Sequence, residues 1–433
     1  MNVYLASLGC RLNEAELLTW SKQFESRGHC VVPTASSAQV VVLNTCAVTQ
    51  NATRSSQQAA KKLHSQNPKA KLVLTGCFAD LEPQRVQQLT GVDLVLSNKD
   101  KDHLVEHLEK EIDLHAMPEA AMALEPAVPS SPHRTRAFIK VQDGCRNQCT
   151  FCIVTVARGE ERSRTIADVV TEVRDLHVRG YQEVVLTGVH IGGYGADLGV
   201  NLKQLVSAIL EETSIPRIRI GSLEPWDLPP GFFQLWQQSD RLCPHFHLPL
   251  QSGSDSVIKR MARRCSVAEY KALVHEARAR LPNVNITTDL IVGFPGETEE
   301  EFLQTTQTLL EIGFGHIHIF SYSPREGTPA ARMRAQLPKK TKKARSRVVH
   351  QLASRMKRET LETHLHRSTQ VLWETRSADP NAPDTIRWTG YTSNYLRAEV
   401  KTPANQDLQN TITGFTPVEI LAGERLFGVL PSI

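Results

Sequence analysis

The 433-residue sequence predicts an α/β protein in three parts: a doubly wound α/β domain, a central partial (β/α)6 barrel and a small C-terminal all-β barrel. Three observations predict it. Short β-branched runs alternate with helix-compatible stretches in the first third. The alternation resumes through six further strands after a break in composition. The last stretch holds only short strands separated by Pro, Gly and Asn. A chain of this length exceeds one ordinary core, and its 40% apolar and 22% charged residues are those of a globular protein.

The first apolar runs, Val3–Leu8, Val40–Leu43, Lys71–Leu74 and Val92–Leu96, are short and rich in β-branched residues, as buried parallel strands are. Helix-compatible stretches at Glu14–Ser26, Ala52–His64 and Pro83–Leu89 separate them, giving an N-terminal domain over residues 1–116. Residues 117–133 are rich in Pro, Ala and Ser without amphipathic period and read as a linker. Candidate strands Phe138–Val141, Glu183–Leu186, Arg217–Ile220, His245–Leu248, Ile286–Val292 and His316–Ser321 then build the barrel over residues 134–366, with its chemistry expected at the carboxyl ends of the strands. Its last part, Arg325–Arg358, is helix-compatible and carries twelve Lys/Arg against Glu326, with an apolar stripe at Ala344, Val348, Leu352 and Met356. Runs at Val371–Glu374, Leu396–Val400, Val418–Leu421 and Arg425–Leu430 give the all-β barrel of residues 367–433.

No apolar run approaches the roughly 18 residues of a membrane span, and the N-terminus lacks the pattern of a signal peptide. The expectation is a cytoplasmic protein whose nine cysteines are thiols or metal ligands rather than disulfides. A net charge of +4 is mild, so the distribution of charge decides the question of nucleic acid.

Cys145, Cys149 and Cys152 follow the first barrel strand in a C-x3-C-x2-C pattern. Three thiolates can hold three irons of a [4Fe–4S] cluster and leave the fourth open to chelate S-adenosylmethionine. Zinc prefers four ligands, commonly as paired C-x2-C knuckles, and the triplet has no second pair. Cys10, Cys46 and Cys77 each end one of the first three strands. In a parallel sheet the carboxyl ends of the strands share one edge, where ligands bind. The three cysteines therefore point to a second cluster with one open iron, against the blander reading of three buried structural thiols. Cys30, Cys243 and Cys265 fit neither pattern.

These residues resemble the radical S-adenosylmethionine methylthiotransferases along nearly the whole chain. Gly9-Cys10, Asn44-Thr45-Cys46 and Gly76-Cys77 resemble that family's auxiliary-cluster domain, and GCRNQCTFCIVTVARGEERSR (Gly144–Arg164) its radical-cluster signature. LTGVHIGGYG (Leu186–Gly195), GSLEP (Gly221–Pro225), HLPLQSGSD (His247–Asp255) and DLIVGFPGET (Asp289–Thr298) are further matches. The C-terminal barrel is similar to the RNA-binding TRAM domain. Thr155 and Thr165 stand where the family more often has proline.

The resemblance implies a methylthiotransferase with a radical-SAM barrel, two [4Fe–4S] clusters and S-adenosylmethionine. One S-adenosylmethionine supplies the methyl group. A second is cleaved to a 5′-deoxyadenosyl radical that takes hydrogen from the substrate. The motif Gly9-Cys10-Arg11-Leu12-Asn13-x-x-Glu16 looks most like the branch that acts on N6-threonylcarbamoyladenosine next to the anticodon of tRNA. The alternatives are isopentenyladenosine in tRNA, an aspartate of a ribosomal protein or, from a different class, a non-catalytic metal-stabilised RNA-binding protein. The chemistry also requires an electron donor and a sulfur donor, for which the chain carries no signature.

For contacts to S-adenosylmethionine or substrate the candidates are Phe151, Gly188, Ser222, Glu224, His247, Gln251, Gly293 and Phe294, at or just beyond strand ends or between ligands. The basic segment suits a phosphate backbone. The C-terminal barrel is not basic, with five Lys/Arg against seven Asp/Glu from Ser368 onward, so its RNA binding rests on the resemblance and on Trp388, Tyr391 and Tyr395 as stacking platforms.

Overall fold

A computed structural model describes residues 1–112, 135–379 and 382–431. The linker expected at 117–133 lies outside the described residues.

The N-terminal unit runs β1 (Asn2–Ser7), α1 (Arg11–Ser26), β2 (Cys30–Val31), β3 (Val40–Thr45), α2 (Gln50–Gln66), β4 (Lys71–Gly76), α3 (Cys77–Leu81), α4 (Pro83–Gln87), β5 (Val92–Val95) and α5 (Leu104–Glu111). All five strands are parallel, in the order β2-β1-β3-β4-β5. Because side chains alternate across a strand, Val41, Leu43, Leu72 and Leu74 pack on one face with Ala60, Leu63 and Phe78. Val40, Val42 and Val73 pack on the other with Trp20, Phe24 and Leu108. Both faces are covered, so the strands read as continuous apolar runs.

The central unit runs β6 (Arg136–Asp143), α6 (Val154–Arg158), β7 (Arg162–Ser163), α7 (Ile166–Val178), β8 (Glu183–Gly188), α8 (Leu202–Glu212), β9 (Arg217–Ile220), α9 (Leu235–Gln238), β10 (His245–His247), α10 (Asp255–Arg260), α11 (Val267–Arg280), β11 (Asn285–Val292), α12 (Glu299–Ile312), β12 (His316–Ser321) and α13 (Lys339–Glu362). Strands β6-β8-β9 and β10-β11-β12 form two parallel sheets. Parallel bridges at Ile218–Leu242 and Ser222–His247 join them into an open, six-stranded partial barrel. Ile139, Leu186, Ile218, Phe246, Leu290 and Ile317 face outward into one core shared with the flanking helices. The alternate positions, among them Lys140, Glu183, Arg219, His247, Asp289 and His318, face the concave side. There α1 lies over the first two strands, with Ala15 packed on Phe138 and Val185.

In the basic segment, helix begins only after Pro338, and the stripe expected at every fourth position is buried only in its second half, where Leu352 packs against the barrel core and Met356 lies within it. Ala344 is exposed and Val348 is 41% exposed, whereas Arg345, Val349 and Met356 are buried. A strict four-residue row drifts around a helix of 3.6 residues per turn, so the face held against β12 mixes steps of three and four.

The C-terminal unit is a closed barrel in the order β13-β14-β15-β17-β16, from β13 (Thr369–Asp379), β14 (Ala382–Thr392), β15 (Arg397–Pro403), β16 (Ile412–Leu421) and β17 (Arg425–Val429). The turn between β14 and β15 plugs the floor of the partial barrel. Arg217 donates to the Tyr391 and Gln370 carbonyls, Arg219 to the Ser393 carbonyl and Asn285 to the Asn394 carbonyl. Tyr391 and Tyr395 stack on each other at 4.8 Å. Arg136 lies 4.8 Å over Tyr391, and Arg219 lies 4.6 Å over Tyr395. This corrects the expectation for the aromatics: both tyrosines are spent on the arginines of the barrel floor, and Trp388 is core, 1% exposed, with its indole N–H on Thr402. None of the three offers a free face to a base.

Candidate functional site

The loop after β6 carries Cys145, Cys149 and Cys152, all half-buried and free of disulfides. The Cys145 amide donates to the Gly159 carbonyl at 3.1 Å and the Cys152 amide to the Cys149 carbonyl at 3.0 Å, so the loop folds back and gathers its thiols. Burial pushes Cys145 up to about 11 and Cys152 up to about 12, and repulsion from Cys149 adds to both. Such thiols stay protonated at neutral pH unless a metal binds them as thiolates. Three sulfur donors suit the irons of a cluster.

No fourth cysteine joins the three to complete a zinc knuckle. Glu161 and His190 lie near Cys145, but His190 is gripped at Nδ1 by Glu161 and at Nε2 by Asp227. Burial lowers the pKa of His190, and the two carboxylates outweigh it and raise the value above normal. Both ring nitrogens are thus engaged by carboxylates rather than turned toward the cysteines. The group instead braces the loop, since Glu161 also accepts from the Arg146 amide at 3.2 Å. Gly192 and Gly193 leave the room it needs, for a Cβ there would fall 2.7 Å from Asp227 and 2.6 Å from His190.

Cys10, Cys46 and Cys77 meet at the carboxyl edge of the N-terminal sheet. Burial pushes the Cys46 thiol up, and Cys77 and Cys10 push the same way. Gly9 and Gly76, each immediately before a cysteine, have φ of +98° and +96°. Both conformations favour glycine. A Cβ at Gly9 would lie 2.6 Å from the Cys46 sulfur, and one at Gly76 2.3 Å from the Thr45 carbonyl oxygen. The donor set, three thiols with no fourth cysteine among them, again fits a cluster with one open iron.

A buried charge network ties the two triads together. Arg158, at the end of α6, donates to Asp143 at 3.0 Å on the Cys145 side. On the Cys10 side it donates to Glu16 at 2.9 Å and to Asn13 Oδ1 at 2.9 Å. Asn13 in turn accepts a long contact of 3.7 Å from the Cys10 thiol. Lys101 donates to Glu16 at 2.8 Å and to Asn44 at 3.1 Å. Burial opposes ionisation of Glu16, yet Lys101 and Arg158 hold its carboxyl well below the usual range. The Arg158 guanidinium also favours the thiolate of Cys46.

The structure separates the expected contact residues into two groups. Glu224 and His247 line the open concave side. Glu224 accepts from Arg263 at 2.7 Å, and His247 pairs with Asp289 at 3.2 Å and bonds Thr287 at 3.0 Å. Ser222 is exposed at the bridge to His247. Gln251 takes φ 68° at the bridge to Leu290. Gly188 packs against the end of β6, a Cβ there falling 2.9 Å from the Gln142 carbonyl oxygen. The second group faces elsewhere. Phe294 is fully buried, edge-on to Tyr322 at 5.4 Å, with Phe151 packed against the same small core. A Cβ on Gly293 would strike Lys342 of α13. The Phe294 side chain is thus taken up by this small core, and Gly293 packs against α13.

Sequence reasoning missed Arg263 and Lys101. Arg263 lies 4.5 Å over the Trp226 ring, bonds Glu224, and stands beside the Cys149 thiol, which burial pushes up and Arg263 pulls down. Lys101 follows β5 at the same carboxyl edge as the cysteines, and that position was its one legible signal.

Residues 139–309 match the Radical SAM superfamily, and residues 2–97 match a family described as uncharacterised, UPF0004. The threonylcarbamoyladenosine tRNA methylthiotransferase MtaB of Thermotoga maritima is 37% identical over 359 residues, covering 81% of each chain. Its namesake from Bacillus subtilis is 34% identical over 404 residues, covering 91% of this chain and 89% of that one. Among solved structures, the radical S-adenosylmethionine methyltransferase TsrM from Kitasatospora setae superposes with a TM-score of 0.58 at 14% identity, covering 76% of this chain and 77% of that one. That likeness is one of fold.

Proposed function

The chain belongs to the radical S-adenosylmethionine methylthiotransferases, and on that premise we propose that it converts N6-threonylcarbamoyladenosine next to the anticodon of tRNA to its 2-methylthio derivative. In this reading Cys145, Cys149 and Cys152 hold one [4Fe–4S] cluster and Cys10, Cys46 and Cys77 a second. When bound, these groups and S-adenosylmethionine supply the radical that takes the substrate hydrogen and the sulfur and methyl group that replace it. The observation that carries the reading is Arg158, which bonds Asp143 beside one triad and Asn13 and Glu16 beside the other. A guanidinium bonded on both sides fixes the two triads in one frame, as a reaction needing both requires.

The chain's own residues bind, orient and exclude water. His190, Glu161 and Asp227 fix the loop that presents Cys145. Arg263 keeps Cys149 and Glu224 in register, so that the Glu224 carboxylate faces the cavity for the cationic end of S-adenosylmethionine. Helix α1 closes the concave side over β6 and β8 and keeps solvent from the reacting carbon. No helix among the described residues is long and apolar enough to cross a membrane.

The test is mass-spectrometric analysis of tRNA carrying threonylcarbamoyladenosine after incubation with the reconstituted enzyme. Cys149→Ala abolishes both 5′-deoxyadenosine and product. Cys46→Ala still releases 5′-deoxyadenosine and makes no product. Full product from Cys46→Ala overturns the roles given to the two triads. Product on isopentenyladenosine or a ribosomal protein alone overturns the substrate.

A further inference from the structure

If the substrate is tRNA, its phosphates need cations, and the C-terminal barrel is poorly supplied with them. From Ser368 onward it has five Lys/Arg against seven Asp/Glu. Of those five, Lys401 pairs with Asp379 and Arg425 with Glu399 at 2.8 Å each. Its tyrosines are held at the barrel floor.

Helix α13 has the opposite character in its first half. Lys339, Lys340, Lys343 and Arg347 are exposed and form no ion pair among the described residues. At 100° per residue they fall within an arc of about 100°. That arc lies opposite the buried Arg345, Val349 and Met356. The second half of the helix is neutralised: Arg355 pairs with Glu359 at 2.8 Å, Arg358 with Glu362 at 3.0 Å and Lys357 with Glu424 at 2.8 Å. The free cations are thus confined to one end.

That end is the one at the mouth. Arg345 is anchored to Glu297 in the loop after β11 and to Glu299 at the start of α12, and Lys342 donates to the Tyr322 carbonyl just past β12. The segment leading into the helix reaches the radical-cluster loop itself, where the Ala330 amide donates to the carbonyl of Thr150, between Cys149 and Cys152, at 2.9 Å.

The geometry points to the exposed face of α13 from Lys339 to Arg347 as the track for the tRNA phosphate backbone, leading from the cluster mouth for about 12 Å. The inference rests on the tRNA reading of the preceding subsection and commits to RNA by charge: four unpaired cations in a row match a polyanion with regularly spaced phosphates. Neutralising them releases counterions, which makes the contact visible as salt dependence.

The experiment is binding of full-length tRNA carrying threonylcarbamoyladenosine to the reconstituted enzyme, by fluorescence anisotropy across a salt series. The variants are K339A/K340A/K343A/R347A and, as control, R355A/R358A. All changed side chains are exposed, and thermal unfolding verifies that each variant is folded. The quadruple variant is expected to bind about tenfold more weakly near physiological salt, with the slope of log Kd against log salt reduced by about 3. The control keeps the wild-type slope, and 5′-deoxyadenosine release without tRNA is unchanged in all. A quadruple variant with wild-type slope and affinity overturns the track while leaving the tRNA reading intact. An equal loss in the control overturns its placement in the first half of the helix. A wild-type enzyme that does not bind tRNA overturns both the reading and the track.

Discussion

Arg158 shares a space closed to water with Glu16, Lys101 and Asp143, and all four side chains are at most 8% exposed. Breaking one member out of such a group strands its partners, at a cost of about 3–5 kcal/mol for a buried pair. In Arg158→Gln, Lys101 still serves Glu16 at 2.8 Å and Lys140 still approaches Asp143 at 3.6 Å, so the loss falls near the lower figure. Its functional signature is expected to differ from simple destabilisation. The variant should release 5′-deoxyadenosine while making disproportionately little methylthiolated product, because the Cys10 side loses its registration on the Cys145 side. Denaturant unfolding together with the product-to-deoxyadenosine ratio checks this. A ratio equal to wild type would reduce Arg158 to a structural ion pair. At this scale the cysteines were legible, because a thiol triad at strand ends has few other uses. Arg158 and Lys101 were not, because a charged residue in a sequence reads as solvated. The partner that buries Lys101, Glu16, is 85 positions away in the chain.

Among the elements, β8 carries the carboxylate on which the barrel floor is organised. Glu183 is fully buried, 2.8 Å from Arg219 and within 3.9 Å of Arg136 and Arg217. Burial pushes its pKa up, but Arg219 and Arg136 prevail and hold it down to about 2. A carboxylate depressed on folding stabilises the protein fully above its ordinary value of 4.5, and that stabilisation is lost as pH falls from there to about 2. Glu183→Gln should therefore lower the Tm by several degrees at pH 7. The gap to wild type should close as both are acidified below pH 4.5, where Glu183 of the unfolded chain takes up a proton while the folded carboxylate is still ionised. Thermal unfolding at stepped pH measures it, and a constant gap down to pH 3 would contradict the assignment. The same arginines explain why the aromatics were misread. Tyr391 and Tyr395 have the spacing of a stacking platform, but their partners lie on β6 and β9, which pattern alone cannot bring near. The parallel strands of the N-terminal sheet and the partial barrel were legible as short apolar runs, whereas β14 of the C-terminal barrel, whose sequence mixes polar and apolar residues, was not among the expected runs. Helix α5 and the two-residue β2 left too short a pattern to find.

For the molecule as a whole, the question is whether its two cysteine triads load the same kind of metal. The partial barrel and the parallel sheet could be read from alternating strands and helices, but not the way α1 closes the concave side, since that contact joins residues such as Ala15 and Val185 with no shared local pattern. Once α1 is in place, Cys10 at its start is fixed relative to the loop after β6, and the protein becomes one vessel with two thiol sites. If both take a four-iron cluster, protein reconstituted without oxygen carries about eight irons and matching sulfide per chain. Cys46→Ala and Cys149→Ala then each fall to about four, with the remaining cluster's absorption intact. About four irons in the wild type, unchanged by Cys46→Ala, would confine the cluster to the barrel loop and leave Cys10, Cys46 and Cys77 as packing thiols. Zinc in place of iron at either triad would point to the non-catalytic alternative. His190 argues against zinc at the barrel triad, because both its ring nitrogens are engaged by carboxylates rather than turned toward the cysteines.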